Sequence, residues 1–497
     1  MAHLRQALAI FIGPKRTPLV NLTIFLVLFS AGCSVGPNYR QPALAVPADW
    51  QEAQQSGVKS QPAELAHWWT AFNDPLLNSL VERAVQSNLD VRIAEGRIRE
   101  ARATRAFTAA GEWPTVDVSG SYTRNRLSKN ALSLPFLGGG GALGGGTLPG
   151  IDLNQNLYKT GFDASWEIDV FGGVRRSVEA ADANIEASVE NRRDAIVTLL
   201  GDVAKNYIDL RGFQRRLAVT RANLKAQQES LDLTKIRFQT GLASDLDVAQ
   251  EEGQVNSTAA QIPTLESSLK QSAYGLDVLL GLQAGSLWNE LSSDKAIPGL
   301  PPEVLVGLPS ELLRRRPDIR RAERQLAAAT AEIGAAVADL FPKFSLTGAA
   351  GLQSLSASDW FTGRSRFWSI GPTISWPIFD AGKIRANIEV RNAQQEQALS
   401  QYEKTVLIAF QEVETALVNY SKEQSRYRAL TEAAAANRRA LELANELYVR
   451  GLNDFLNVLD AQRSLYTTEN DLAQSEATMA SNLVALYKAL GGGWETK

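Results

Sequence analysis

Polar and apolar positions along this chain follow three rhythms, and the same series of rhythms runs twice. Helical spacing marks Asp74 to Gln86 and Asn88 to Ala110, the second stretch stopping before Gly111 and Pro114. A two-residue alternation follows, with Val116, Val118 and Tyr122 set against Thr115, Asp117, Ser119, Ser121 and Thr123. A second alternating stretch places Tyr158, Phe162, Ala164, Trp166, Ile168 and Val170 on one side and Lys159, Asp163, Ser165, Glu167 and Asp169 on the other. From Val174 to Phe238 there is no proline, and apolar residues recur at three- and four-residue steps, as in Leu199, Val203, Tyr207, Leu210 and Leu217. That pattern predicts a coiled-coil-like helix on the order of 100 Å long. Thr240-Gly241-Leu242 reads as a turn into a return helix, Asp245 to Leu280, which Pro263 should kink.

The second pass repeats the order. Ser310 to Arg316 and Pro317 to Leu340 read as helices, and Phe344, Leu346 and Leu352 as one strand face. Trp368, Ile370, Ile374, Trp376 and Ile378 line the next strand opposite Ser369, Thr373 and Ser375. Lys383 to Arg450 contains neither proline nor glycine, and Gly451-Leu452 turns into Asp454 to Leu490. An offset of 210 carries Ser165-Trp166 onto Ser375-Trp376, Gly241-Leu242 onto Gly451-Leu452, Leu246 onto Leu456 and Leu280-Gly281 onto Leu490-Gly491. Upstream an offset of 228 carries Asp90 onto Asp318, Pro114 onto Pro342 and Gly120 onto Gly348. The first copy therefore holds 18 extra residues between Gly120 and Trp166, where the glycine run from Leu137 to Gly146 sits. A period this long is the duplication of an architectural half rather than a solenoid repeat. The expected organisation is 1–32 signal, 33–73 extension, 74–298 first repeat and 299–497 second repeat.

Strands of about ten residues, apolar on one face and polar on the other, suit a membrane-spanning barrel with a watery lumen. A half-buried soluble sheet would alternate in the same way. Four strands cannot close, and an open sheet edge is not tolerated in lipid, so further copies of the chain must complete the barrel. Two copies would supply eight strands, which side chains fill, whereas three would supply twelve and leave a passage. The expected fold is a mixed α/β membrane channel with four strands and long antiparallel helices per chain, assembled as a homotrimer.

The first residues change the setting. Arg5, Lys15 and Arg16 precede an apolar stretch, Leu19 to Phe29, too short to span a bilayer comfortably. Ser30-Ala31-Gly32 then leads into Cys33, the only cysteine. This looks like a bacterial lipoprotein signal that leaves Cys33 as a lipidated N-terminus, although Ser30 stands where such signals usually carry Leu. Ser34 in place of Asp favours the outer membrane. An ordinary cleaved signal is the alternative.

Composition removes several function classes. With 51 basic and 54 acidic residues the chain has no electrostatic footprint for nucleic acid. Beyond the signal His67 is the only histidine, so no zinc or Cys–His constellation can form within one chain, and no metal or catalytic residue is assigned. The glycine run lacks the Gly-Lys-Ser/Thr ending of a phosphate-binding loop. Asn256-Ser257-Thr258 matches a glycosylation acceptor only by coincidence on a predicted helix.

Several segments carry a resemblance: Cys33-Ser34-Val35-Gly36-Pro37-Asn38-Tyr39, Trp68-Trp69, Phe72-Asn73-Asp74-Pro75, Ser165 to Gly172, Leu308-Pro309-Ser310, Arg316-Pro317-Asp318-Ile319 and Leu459 to Ser464. In these the chain resembles the outer membrane factor family, TolC-like and especially OprM/NodT-type lipoproteins of tripartite RND-type pumps. The resemblance implies a homotrimeric duct with a twelve-stranded β-barrel and a twelve-helix α-barrel, joined by a periplasmic adaptor to an inner-membrane pump. It implies no cofactor beyond a diacylglycerol and acyl chain on Cys33. It also implies a periplasmic gate made by an apolar ring at Leu456 and an acidic ring at Asp460. Adaptor contacts fall at Gly241, Leu242, Gly451 and Leu452, and aromatic anchors to outer-membrane lipid at Trp166, Trp368 and Trp376. TolC-like members carry an Arg where this chain has Asn453 and an acid where it has Asn457, so an ionic lock with Asp247 is in doubt. Asp247, Asn453 and Asn457 stay as tip polar contacts. Protein secretion and metal-ion efflux remain alternatives, and Met479, the only methionine beyond the signal, gives no soft-ligand cluster for Cu(I).

Overall fold

The computed structural model describes residues 34–52, 58–59, 61, 65–126, 154–301 and 303–495. Cys33 and the glycine run lie outside the described residues. The chain divides into two compact units, and each draws on both repeats.

Among the described residues the first unit comprises 34–40, 102–126, 154–183 and 327–397, and its centre is one four-stranded sheet. Strands β1 (Thr115–Arg126) and β2 (Asn154–Ile168) come from the first repeat, β3 (Lys343–Ser354) and β4 (Arg366–Ser375) from the second. All three pairings are antiparallel, in the order β1-β2-β3-β4, so among the described residues β1 and β4 are the edges of the sheet. Register explains why one face is apolar. Val118 faces Phe162, Trp166 faces Leu346, Ala350 faces Trp368 and Phe344 faces Ile374, and residues directly opposite share a face. The other face pairs Ser121 with Lys159, Ser165 with Thr347 and Ser345 with Thr373. Val118, Phe162, Trp368, Ile370 and Ile374 are exposed. The strands end sooner than the alternation suggests: Val170 lies beyond β2, and Trp376 and Ile378 lie beyond β4. Pro377, which has no N–H for a ladder, stands between the last two.

The second unit comprises residues 41–101, 184–326 and 398–497 and is helical. The main helices of the chain are α1 (Pro75–Ser87), α2 (Leu89–Ala109), α3 (Gly173–Gln239), α4 (Asp245–Ala259), α5 (Gln261–Leu279), α6 (Pro309–Arg315), α7 (Pro317–Ala338), α8 (Lys383–Val449) and α9 (Phe455–Ala489). Both long helices, α3 and α8, contain 67 residues. The predicted return helix is interrupted between α4 and α5, because Pro263 cannot donate to the Ala259 carbonyl that would close the turn. The core gathers Trp68, Trp69, Phe72, Leu200, Tyr207, Leu417, Tyr420, Leu483 and Tyr487, with Trp68 stacked on Tyr487 at 5.2 Å. Asp74 caps α1 by accepting from the Leu76 N–H at 2.8 Å, and Tyr207 donates to its other oxygen at 2.6 Å.

The duplication is visible in individual bonds. Asn88 donates to the Leu279 carbonyl at 2.9 Å, and Arg316, its equivalent, donates to the Ala489 carbonyl at 2.8 Å. In the first unit the Trp166 indole donates to the Glu112 carbonyl at 2.9 Å, and the Trp376 indole to the Leu340 carbonyl at 3.0 Å. In the Arg-Pro-Asp segment, Arg316 satisfies the end of α9 while pairing with Asp318 and Glu412, each at 2.7 Å.

Candidate functional site

Two turns join the long helices to their return helices, and they are built alike. Gly241 has φ +78° and Gly451 has φ +72°, values that cost an L side chain strain and glycine none. The Leu242 N–H donates to the Arg237 carbonyl at 2.8 Å and the Gly241 N–H to the Phe238 carbonyl at 2.9 Å. The equivalent bonds, Leu452 to Leu447 and Gly451 to Tyr448, are 2.9 and 3.0 Å. This is the glycine-terminated helix end that satisfies the last carbonyls. Leu242 and Leu452, just beyond, are exposed.

Leu456 and Asp460 stand one turn apart on α9, both exposed. Leu246, the first-copy equivalent of Leu456, is likewise exposed on α4, while Gln250 takes the place of Asp460. The polar contacts proposed at the tips resolve into two local sets. Asp247 accepts from the Ser244 N–H at 2.8 Å and its own N–H donates to the Ser244 hydroxyl at 3.2 Å, a reciprocal cap on α4. Asn457 donates to the Asn453 side-chain oxygen at 2.5 Å, which also accepts from the Asp454 N–H at 3.0 Å. Asp247 and the asparagines are thus engaged separately within the chain.

Around α9 the structure adds residues that the sequence reading did not single out. Tyr448, Phe455, Val458 and Leu459 form a buried apolar cluster, with the Tyr448 and Phe455 rings 5.4 Å apart. The Arg237 guanidinium lies 4.3 Å from the centre of the Tyr448 ring. On α4 the buried set is Val248, Glu251 and Thr258. Glu251 is 0% exposed, and neither carboxylate oxygen has a hydrogen-bond partner. Burial raises its pKa, while the Ser230 hydroxyl and Arg463 pull the other way. Its spacing three residues after Val248 was the available signal. A groove of about 400 Å³ lies beside this seam, lined among others by Gln227, Ser230, Thr234, Tyr448 and Gln462. Among the described residues no group of acidic, histidine or cysteine side chains is arranged to hold a metal ion.

The segment that follows Cys33 is fixed to the first unit. The Val35 N–H donates to the Phe171 carbonyl at 3.2 Å. Arg176, buried on α3, donates to the Val35 carbonyl at 3.1 Å, to Asn38 at 2.7 Å and to Glu179 at 2.8 Å. Gly36, at φ +88°, lies so close to Gly334 that a Cβ would stand 2.4 Å from its Cα. The three tryptophans assigned to the barrel differ in setting: Trp166 is half-buried, and Trp368 and Trp376 are exposed.

Known proteins give a consistent comparison. A family described as outer membrane efflux protein matches residues 80–282 and 308–492. The two matches begin 228 residues apart and end 210 apart, the same two offsets that relate the repeats. Nodulation protein T of Rhizobium leguminosarum bv. trifolii is 36% identical over 482 residues, covering 95% of this chain and 97% of that protein. The solvent efflux pump outer membrane protein SrpC of Pseudomonas putida is 34% identical, over 95% of this chain and 98% of its own. The structure of the outer-membrane channel OprN superposes with a TM-score of 0.85 at 36% identity, over 93% of this chain and all of that one. Duplicated architecture, one-sided sheet and paired helix tips therefore place this chain in the outer membrane efflux protein family.

Proposed function

We propose that three copies of this outer-membrane efflux channel close one barrel and that Leu456 and Asp460 gate its periplasmic end. The observation that carries the reading is the sheet: among the described residues its apolar face is uncovered and both edges are unpaired. Lipid covers such a face, and further copies complete such edges. The chain is an exit duct of a tripartite efflux pump and not an enzyme. In the trimer each gate residue becomes a triplet about the axis. Three leucines narrow the passage, and three carboxylates one turn away make a negative constriction that favours cations.

A periplasmic adaptor engages the exposed Leu242 and Leu452 beside Gly241 and Gly451, and an RND-type pump of the inner membrane supplies the cargo. Cys33 carries the acyl anchor; the clamp of Arg176 on residues 35–38 supports an attachment point held against the first unit. Trp166, Trp368 and Trp376 meet outer-membrane lipid. The pump sets the cargo, which fits a small toxic compound better than a secreted protein.

Planar-bilayer recording tests the gate. Leu456→Ala combined with Asp460→Ala should raise open probability and weaken cation preference. Conductance and selectivity equal to wild type would move the gate elsewhere.

A further inference from the structure

We propose that Glu251 is a proton-operated latch of the helix tips, neutral while α3, α4 and α9 are packed and ionised when that seam parts. The inference rests on the tips being the moving end of the channel, as argued above.

Geometry makes the argument. Glu251 follows Val248 by three residues on the buried face of α4, and it is fully buried, with two carboxylate oxygens lacking partners. An ionised carboxylate in such a place needs a compensating charge. None of the neighbouring cations forms an ion pair with it, and the pull of Arg463 toward the ionised form is outweighed by burial. Arg463 on α9 donates to Gln254 at 2.8 Å, Arg237 on α3 lies over the Tyr448 ring, and Lys235 on α3 pairs with Glu252 at 2.8 Å. Among the described residues no ion pair involves Glu251. The remaining groups near it are the Ser230 hydroxyl from α3, which with Arg463 favours the ionised form, and the Tyr448 phenol from α8. Hydroxyls do not neutralise a carboxylate. Both oxygens are also closed to solvent. A proton on the carboxyl removes the charge that this burial penalises.

The direction follows from linkage. The packed tip binds the proton more tightly than the parted tip, where water reaches the carboxylate. Acid therefore favours packing, and the preference is lost as pH rises through the raised value of the packed state. Within that window each chain contributes up to about a tenfold change in the packed-to-parted ratio per pH unit. The device belongs to the first repeat alone, because Ala461 occupies the equivalent place on α9.

The test uses the full-length channel, in detergent for hydrogen exchange and in planar bilayers for conductance. Exchange at 236–252, corrected for its intrinsic pH dependence, is measured between about pH 5 and about pH 9 together with open probability. Wild type should open with rising pH, while Glu251→Gln and Glu251→Ala should both stay flat, the second reproducing the Ala461 arrangement. Asp232→Asn, which removes an exposed carboxylate of α3, should keep the exchange profile of wild type. If Glu251→Gln titrates as wild type does, the latch is refuted. If exchange loses its pH dependence in the variants while wild-type conductance never followed pH, the latch stands and the gate assignment falls.

Discussion

The two helix tips of one chain share a turn and differ in what lies behind it. Both end on a glycine with positive φ and the same pair of carbonyl bonds. Behind the second turn, Tyr448, Phe455, Val458 and Leu459 are buried together. Their first-copy equivalents are Phe238, Asp245, Val248 and Ala249, of which only Val248 is buried. The first tip relies instead on the Ser244–Asp247 cap and carries an unpartnered carboxyl in its seam. Duplication preserved the backbone solution, which glycine satisfies without strain, while the packing behind it diverged. One hairpin is held by apolar burial and the other by polar groups that respond to their surroundings.

The largest expected effect falls on the second tip. Phe455→Ala should cost about 3–5 kcal/mol of local stability, read as lost hydrogen-exchange protection over 446–462 with 236–252 little changed. Equal loss at both tips would mean that they open as one unit, and the contrast would collapse. Gly241→Ala and Gly451→Ala should each cost about 1–2 kcal/mol, because a Cβ at either position meets nothing within 4 Å and only backbone strain remains. Clearly unequal costs would show that the turns are not equivalent. The smallest effect separates the caps. Ser244→Ala should loosen the start of α4 by about 1 kcal/mol, whereas Asp454→Ala should do less, since Asp454 makes no side-chain cap on α9.

Much of this architecture was legible in the sequence because its signals are periodic and come in duplicate. Alternation located all four strands of the sheet, and proline-free spacing located both long helices to within a residue or so of their ends. Strand ends were less readable: Trp376 continues the alternation of β4, yet its indole bonds to the Leu340 carbonyl beyond the ladder. Leu456 and Asp460 came from a family likeness, and the structure adds that both are exposed on one face. Glu251 was missed because charge reads as surface, and only its spacing from Val248 betrayed a buried position. The Tyr448–Phe455 contact joins two helices across a turn, and neither helix's pattern contains it. Why Asn457 binds Asn453 rather than a group on α4 was equally invisible, since it depends on which side chain reaches first.

The Arg176 clamp has a mechanical consequence. Ser34 lies against Gly172, and Val35 and Asn38 are tied to a guanidinium at the start of α3. An acyl anchor on Cys33 would hang on a mooring line one residue long, about 4 Å of chain. So short a line stores almost no slack. Drag on the lipid would load the first turn of a helix rather than the hydrogen-bonded strands beside it. The anchor would then act as a fixed strut that sets how the duct stands in the membrane, instead of a leash that merely keeps it there.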